Sequence, residues 1–304
     1  MSVAILMLSV DEAHRLEASL PPAVAQAPVT VIDDACTDDT RAVAERHGAT
    51  VLALSERLSY AAAMNRGLAA VEADAVLLLN ADCILDDGFL DAALPGLRDP
   101  GVGAVAPLVL RANGLDPADR LDVVDAAGMT LDRRRKNGLR GHGEPAARWQ
   151  LPGEVFGADG ACALYRREVL DQLGPEVLDE DMALWATDAD LAWRARARGW
   201  RCAYEPSARA WHVRFYSPTN RPTIAAEHRR LQFRNRLLMV LKNERGIRDL
   251  PRILLYEFAA FGYALLRERE LLPGYVDAAR LAPRVWAKRS ASSASIALSP
   301  RKNA

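Results

Sequence analysis

Along the first hundred residues, short apolar runs alternate with stretches whose apolar residues recur at helical spacing. Ala4 to Leu8 predicts a strand and Ala13 to Leu20 a helix behind it. Val29 to Ile32 predicts a second strand. It closes in the polar run Asp33-Asp34-Ala35-Cys36-Thr37-Asp38-Asp39-Thr40, where Thr37 or Asp38 can cap a helix that stops at Gly48. Val51 to Leu54 predicts a third strand, Ala61 to Val71 a helix, and Ala75 to Leu79 a strand apolar enough to be buried on both faces. This alternation predicts an α/β fold with a doubly wound, mostly parallel sheet flanked by helices. No GxGxxG follows the first strand, which disfavours a dinucleotide-binding Rossmann domain.

Residues 111 to 153 are the least regular part, rich in glycine, with the basic run Arg133-Arg134-Arg135-Lys136 and a Trp149 that reads as exposed. They predict a variable insertion, a β-hairpin with a mobile loop. Pattern returns at Phe156, where Gly157 and Gly160 let backbone come close to a ligand. Arg166 to Leu173 predicts a helix. Thr187 or Asp188 opens another that runs to Gly199, and a strand near Cys202 to Tyr204 leads to Ala210-Trp211-His212. Beyond residue 220, His228 to Asn243 predicts a long helix with a cationic side, and Leu250 to Leu266 a strongly apolar one.

Half of the 304 residues are apolar and 26% are charged, which excludes a disordered chain, a coiled coil and a disulfide-stapled mini-domain. The longest apolar candidate, Ile253 to Leu266, is too short to span a bilayer and contains Glu257. With no secretory signal visible and four widely spaced cysteines lacking a CxxC pair, a cytoplasmic protein with reduced thiols is expected. Charge is unevenly spread. Residues 1–220 carry 22 basic against 33 acidic side chains, and residues 221–289 carry 15 against 7. An acidic body suits divalent cations better than nucleic acid, and the basic third suits an anionic partner or is a set of solvated helix faces.

In doubly wound sheets, ligands bind beyond the carboxyl ends of the strands. Carboxylates crowd that edge twice, in the Asp33–Thr40 run and in Asn80-Ala81-Asp82. Turn formation accounts for an Asp such as Asp38 or Asp86, but less well for Asp82, which directly follows a buried strand.

Four motifs then resemble glycosyltransferase family 2, and most closely its bacterial rhamnosyltransferase-like members with the GT-A fold. Val31 to Thr40 resembles VVDNxSxDGT. Asn65-Arg66-Gly67 followed by Leu77 to Asp82 is similar to NxG…LLNPD. Asp179-Glu180-Asp181 through Asp188 to Trp200 resembles FDExFFxYxEDxDLxWRxRxxGW, and His212 with Arg234-Asn235 resembles an H…RN pattern. The set spans about residues 1 to 243. Asn80 stands in place of the first Asp of a DxD motif, and Thr187 where a Glu usually precedes Asp188.

The resemblance implies a catalytic domain over 1–220, with a nucleotide-sugar half over about 1–110 and an acceptor half over about 150–220. A basic helical region over 221–289 and a flexible tail over 290–304 would follow. It implies an inverting, metal-dependent transferase of the hexosyltransferase type, with Mg or Mn as cofactor. A sugar, rhamnose among the candidates, would pass from a nucleoside-diphosphate donor to a glycan or lipid-linked acceptor. Asp188 is the expected base. Asp33, Asn65, Arg66, Asn80 and Asp82 are expected toward the donor. Asp82 is the expected metal ligand, with His212 completing the coordination or touching the pyrophosphate. Gly160, Trp185 and Asp190 are placed on the acceptor side, where Trp185 stacks on a sugar or packs in the core, and Asp190 braces the site or pairs with an arginine. The basic third docks at the inner face of the cell membrane or forms a homodimer. A catalytically impaired scaffold subunit is the alternative that Thr187 keeps open. A sugar-phosphate nucleotidyltransferase is disfavoured because Ser9-Val10-Asp11-Glu12 replaces the Gly-rich, basic loop such enzymes carry after their first strand.

Overall fold

The apolar runs of the N-terminal half become four parallel strands, β1 (Val3–Ser9), β2 (Val29–Asp33), β3 (Thr50–Ala53) and β4 (Ala75–Asn80), in the spatial order β4-β1-β2-β3. Helices α1 (Ala13–Val24), α2 (Thr40–Arg46) and α3 (Tyr60–Ala70) make the crossovers. The computed structural model describes residues 1–214 and 224–289; the expected boundary at 220/221 and the expected flexible tail over 290–304 lie outside those residues.

Side chains of β1 alternate between two cores, as the two-residue period of a strand requires. Ile5 and Met7 pack on the side of Leu16 and Leu20 from α1, and Leu6 on the side of Met64 and Leu68 from α3. Gly67 fixes how closely α3 approaches, because a Cβ there would lie 2.4 Å from Ile32 Cδ1 and 2.8 Å from Leu6 Cδ1. A side chain at this position would push the helix off the sheet.

The second half continues through β5 (Cys83–Leu85), α4 (Phe89–Ala93), β6 (Val102–Ala112), β7 (Arg120–Ala126), β8 (Met129–Leu131), β9 (Asn137–Leu139), β10 (Gly153–Val155), β11 (Cys162–Arg166), α5 (Arg167–Leu173), α6 (Thr187–Ala197) and β12 (Arg201–His212). The main path of the sheet is β10-β12-β6-β11-β4-β1-β2-β3, with β11 antiparallel to both its neighbours. The expected short strand at Cys202 to Tyr204 is part of the twelve-residue β12. A register shift between Glu205 and Arg209, around Pro206, lets that long strand carry on to His212 beside β6.

Within 111–153, β8 and β9 form the expected hairpin, whereas β7 joins the main sheet against β6. Trp149 is not fully exposed as expected. The Arg140 guanidinium lies 4.6 Å from its ring centre, and its indole donates to Glu144 Oε2 at 3.1 Å. The C-terminal helices are α7 (Ala226–Asn243), α8 (Leu250–Leu266) and α9 (Leu272–Ala287). Leu238 and Met239 of α7 share a core with Ala278 and Val285 of α9, and with Ala189, Ala192 and Trp193 of α6.

Candidate active site

Asp82 follows β4 at the carboxyl edge of the sheet and is almost fully buried. Its Oδ1 lies 3.2 Å from His212 Nε2 and its Oδ2 3.0 Å from Arg15 Nη1. Burial alone would raise its pKa, but His212 and Arg15 outweigh this and hold it below the ordinary carboxylate value. The β12 strand ends at His212, so its length carries the imidazole to Asp82, two positions beyond β4. Asp82 and His212, 130 positions apart, thus meet as expected.

The other imidazole nitrogen, Nδ1, lies 2.9 Å from Asp125 Oδ2. Desolvation lowers the His212 pKa, yet hydrogen bonds to the two carboxylates push it up to about 10. Asp125 belongs to β7 and has no solvent exposure; sequence reasoning missed it. The available signal was a lone carboxylate within Val123-Val124-Asp125-Ala126-Ala127. Arg214 was missed as well. Its Nε lies 2.8 Å from both Asp125 oxygens and its Nη2 3.1 Å from both Asp159 oxygens. Buried acids and bases therefore form a continuous chain from Asp82 through His212, Asp125 and Arg214 to Asp159.

Asp188 stands at the far end of that chain, in the first turn of α6. Its Oδ2 accepts from the Gly160 N–H at 3.2 Å and its Oδ1 from the Ala189 N–H at 2.8 Å. Desolvation first, and repulsion from Asp159 second, push its pKa up to about 6. Gly160 and Asp188 are thus brought together. Asp190 is not on the acceptor side. It has no exposure and meets Arg194 (2.7 Å), Lys242 (3.0 Å) and Asn243 (2.7 Å), so a carboxylate two positions along the helix faces the C-terminal helices instead.

The donor-side expectations divide. The Asp33 carboxylate sits at the end of β2, where Oδ1 accepts from the Cys36 N–H at 2.8 Å and Arg41 approaches Oδ2 at 3.4 Å. Asn80 is half-buried at the end of β4, beside Asp82. Asn65 does not face a ligand. Its amide donates to the Leu178 carbonyl at 2.8 Å and its oxygen accepts from the Leu178 N–H at 2.9 Å, so it ties α3 to the segment before α6. Arg66, one position on, is exposed. Trp185 is half-buried, its indole nitrogen 3.2 Å from His228 Nδ1.

Backbone before Asp188 is held in an uncommon shape. Ala183, Trp185 and Ala186 have φ values of 62°, 64° and 59°, in the left-handed region that residues with a Cβ rarely adopt. The fully buried Asn235 secures it by donating to the carbonyls of Met182 (2.6 Å), Leu184 and Trp185 (3.0 Å). Arg234 holds the carbonyls of Asp181 (3.0 Å) and Met182 (3.2 Å). The Arg-Asn pair of the fourth motif thus sets the entry to the helix that carries Asp188.

Asp82 and His212 place a carboxylate oxygen and an imidazole nitrogen 3.2 Å apart. With its pKa at about 10 the imidazole carries a proton on each nitrogen, so a divalent cation would bind there by displacing the Nε2 proton and loosening Arg15 from Asp82. Among the described residues, the group of three ligating side chains close enough together to hold a metal is Asp11, Cys36 and Asp38. Those groups already serve their own loop: Asp11 bonds the Thr37 N–H and Arg57, and Asp38 bonds the Ala13 N–H and Thr40.

A family model described as "Glycosyltransferase like family 2" matches residues 12–235. The chain is 23% identical over 218 residues to the poly-beta-1,6-N-acetyl-D-glucosamine synthase of Staphylococcus aureus (strain COL), an alignment covering 69% of this chain and 49% of that one. The chain therefore spans about half the length of that relative. It is 31% identical over 149 residues to the uncharacterized glycosyltransferase Mb0553 of Mycobacterium bovis, covering 44% of this chain and 68% of that one. Among solved structures, S. aureus TarS 1-349 superposes with a TM-score of 0.60 at 15% identity, over 94% of this chain and 82% of that one. The mannosyltransferase PcManGT from Pyrobaculum calidifontis, in complex with GDP-Man and Mn2+, superposes at 0.54 with 20% identity, over 92% and 75%. The architecture shared with these neighbours is the GT-A fold that the motifs imply.

Proposed function

Because the chain belongs to glycosyltransferase-like family 2, we propose that it transfers a sugar from a nucleoside-diphosphate donor to an acceptor hydroxyl, with inversion at the anomeric carbon. The observation that carries this reading is the charged chain joining Asp82 and His212 to Asp188, whose carboxylate loses its proton near pH 6.

Asp188 is the base. It is partly exposed, it forms no salt bridge among the described residues, and near neutral pH it is ionised yet basic enough to take the proton of an attacking hydroxyl. Gly160 holds one of its oxygens and leaves room beside it. Asp159 keeps its affinity for a proton high, and Arg214 stops that repulsion from displacing either carboxylate. Asp82 and His212 would hold a Mg or Mn ion, which when bound would supply neutralisation of charge on the departing diphosphate. Asp125 holds His212 from behind, so that Nε2 faces Asp82. Asn80 and Asp33 border the donor side at the ends of β4 and β2.

N-acetylglucosamine stands in the name of the staphylococcal synthase, GDP-mannose with Mn2+ in the PcManGT complex, and UDP-GlcNAc in a TarS 1-349 complex of TM-score 0.59. Rhamnose is supported by the motif resemblance alone. The acceptor is a glycan or a lipid-linked saccharide.

Thermal shift with nucleoside diphosphates, with and without manganese, tests the reading. Metal-dependent stabilisation by a diphosphate is expected, because a ligand that binds the native state raises its stability. Asp82→Ala should keep the fold and lose the metal-dependent part. Undiminished metal-dependent stabilisation in that variant overturns the assignment of Asp82. Normal donor binding without turnover of UDP-GlcNAc, GDP-mannose or dTDP-rhamnose would favour the scaffold-subunit reading.

A further inference from the structure

Helix α8 turns one whole side to solvent, and that side is apolar. Leu254, Leu255, Phe258, Phe261, Leu265 and Leu266 are exposed, with Leu255 at 71%, Phe258 at 77% and Leu266 at 77%. At 100° per residue these six fall within about 140° of one another, a continuous face rather than scattered contacts. Ile253 and Ala264, on the opposite side, are buried against the protein. Ile247, just before the helix, adds exposed apolar area (85%).

Basic residues frame the face. Arg245, Arg248 and Arg252 stand exposed at its amino end, and Arg267 and Arg269 at its carboxyl end. Most acidic residues nearby are already matched: Glu244 with Arg135, Asp249 with Arg133, Glu257 with Arg236, and Glu270 with Arg229. Arg252 shares Asp249 with Arg133, at 3.3 Å, and the apolar surface is bordered by the exposed positive charge of Arg248, Arg267 and Arg269.

We propose that this face docks the protein on an anionic lipid surface, with α8 lying in the plane of the headgroups. Two physical arguments select this occupant. At about 1.5 Å per residue the seventeen-residue helix reaches roughly 25 Å, and no helix among the described residues is long and apolar enough to cross a membrane, so α8 lies along a bilayer rather than through it. A second copy of this chain, packed through the same face by a twofold axis, would bring two identical basic rims together. An anionic headgroup layer attracts those rims instead.

The proposal is independent of sugar transfer, because binding to vesicles is read without donor or acceptor. Co-sedimentation of the full chain with phosphatidylcholine vesicles, with and without phosphatidylglycerol, tests it. Binding is expected to the phosphatidylglycerol-containing vesicles and to weaken as salt is raised. The double variant Leu255→Glu/Phe258→Glu alters only exposed positions, so its thermal melt should match the parent, and its vesicle affinity should fall by at least about tenfold. Arg248→Glu/Arg267→Glu should lose the preference for anionic over neutral vesicles. A full chain that stays in the supernatant with anionic vesicles at low ionic strength overturns the proposal, as does a Leu255→Glu/Phe258→Glu protein that binds as well as the parent. Sedimentation velocity showing a dimer that this double variant dissolves, with vesicles ignored, assigns the face to a second copy instead.

Discussion

Asp188 and Asp190 lie two residues apart in the first turn of one helix, and both are desolvated there. Their fates are opposite. Desolvation first and Asp159 second push the Asp188 pKa up to about 6, against two backbone N–H groups that lower it. Asp190 faces Arg194 and Lys242, which outweigh its burial and lower its pKa to about 2. Burial thus sets neither outcome alone; the sign of the nearest charge does. The side of α6 toward Asp159 and Gly160 keeps a carboxylate able to exchange a proton near neutral pH, while the bundle side keeps one locked as a permanent anion. The first is suited to chemistry and the second to cohesion.

Substitutions can break this contrast. Asp190→Ala leaves Lys242 and Arg194 buried without their shared partner, and should cost about 3–5 kcal/mol of stability, measured by urea unfolding. Its contribution is present above the ordinary carboxylate pKa and is lost as pH falls toward the folded value of about 2, so the deficit of the variant should shrink in acid. Asp188→Asn should do the reverse. Transfer should fall by at least about a hundredfold in a product-formation assay, while donor affinity and melting temperature stay close to the parent's. If Asp188→Asn proves the less stable of the two variants and keeps its rate, the contrast drawn from the geometry is wrong.

A smaller effect is expected from Asp125→Asn, which keeps the shape behind His212 but not the charge. The divalent-ion concentration for half-maximal nucleoside diphosphate binding should rise about 10- to 100-fold. An unchanged midpoint would confine Asp125 to bracing Arg214. The mildest test needs no substitution. Protonated Asp188 cannot accept a proton, so the transfer rate should level off above about pH 6 and fall about tenfold per pH unit below it. A rate that stays flat down to pH 5 removes Asp188 from the role of base.

Much of this was legible in the sequence because the signals are local. The strands β1 to β4 are announced by apolar runs, and Asp82 by its place directly after one. Gly67 is a motif glycine whose packing role became visible only with Ile32 and Leu6 beside it. What the sequence concealed depends on pairing across long separations. Asp125 sits in a segment whose glycines and basic run suggest an irregular insertion, and nothing local says that β7 joins the main sheet and points a carboxylate at His212, 87 positions away. Asn65 was placed toward the donor because an amide in a motif reads as a ligand contact, whereas here the Leu178 backbone holds it. For Asp190 the expected arginine partner is Arg194, and what stayed hidden is Lys242, 52 positions away. Arg234 and Asn235 were noticed as a pattern, but their task, holding the carbonyls of residues 181, 182, 184 and 185, is a tertiary fact.

The grip of Asn235 on those carbonyls has a consequence for the order in which the protein matures. Domains tend to fold from the amino terminus while the ribosome is still adding residues. Every group of the Asp82–His212–Asp159 chain lies before residue 215, so that half can assemble early. The turn that aims Asp188 holds three residues in left-handed backbone, and the amide that secures it arrives only when α7 has been made. A nascent chain can therefore possess its buried charged cluster well before the turn ahead of Asp188 is secured; under the proposed role of Asp188 as base, competence arrives late, with α7.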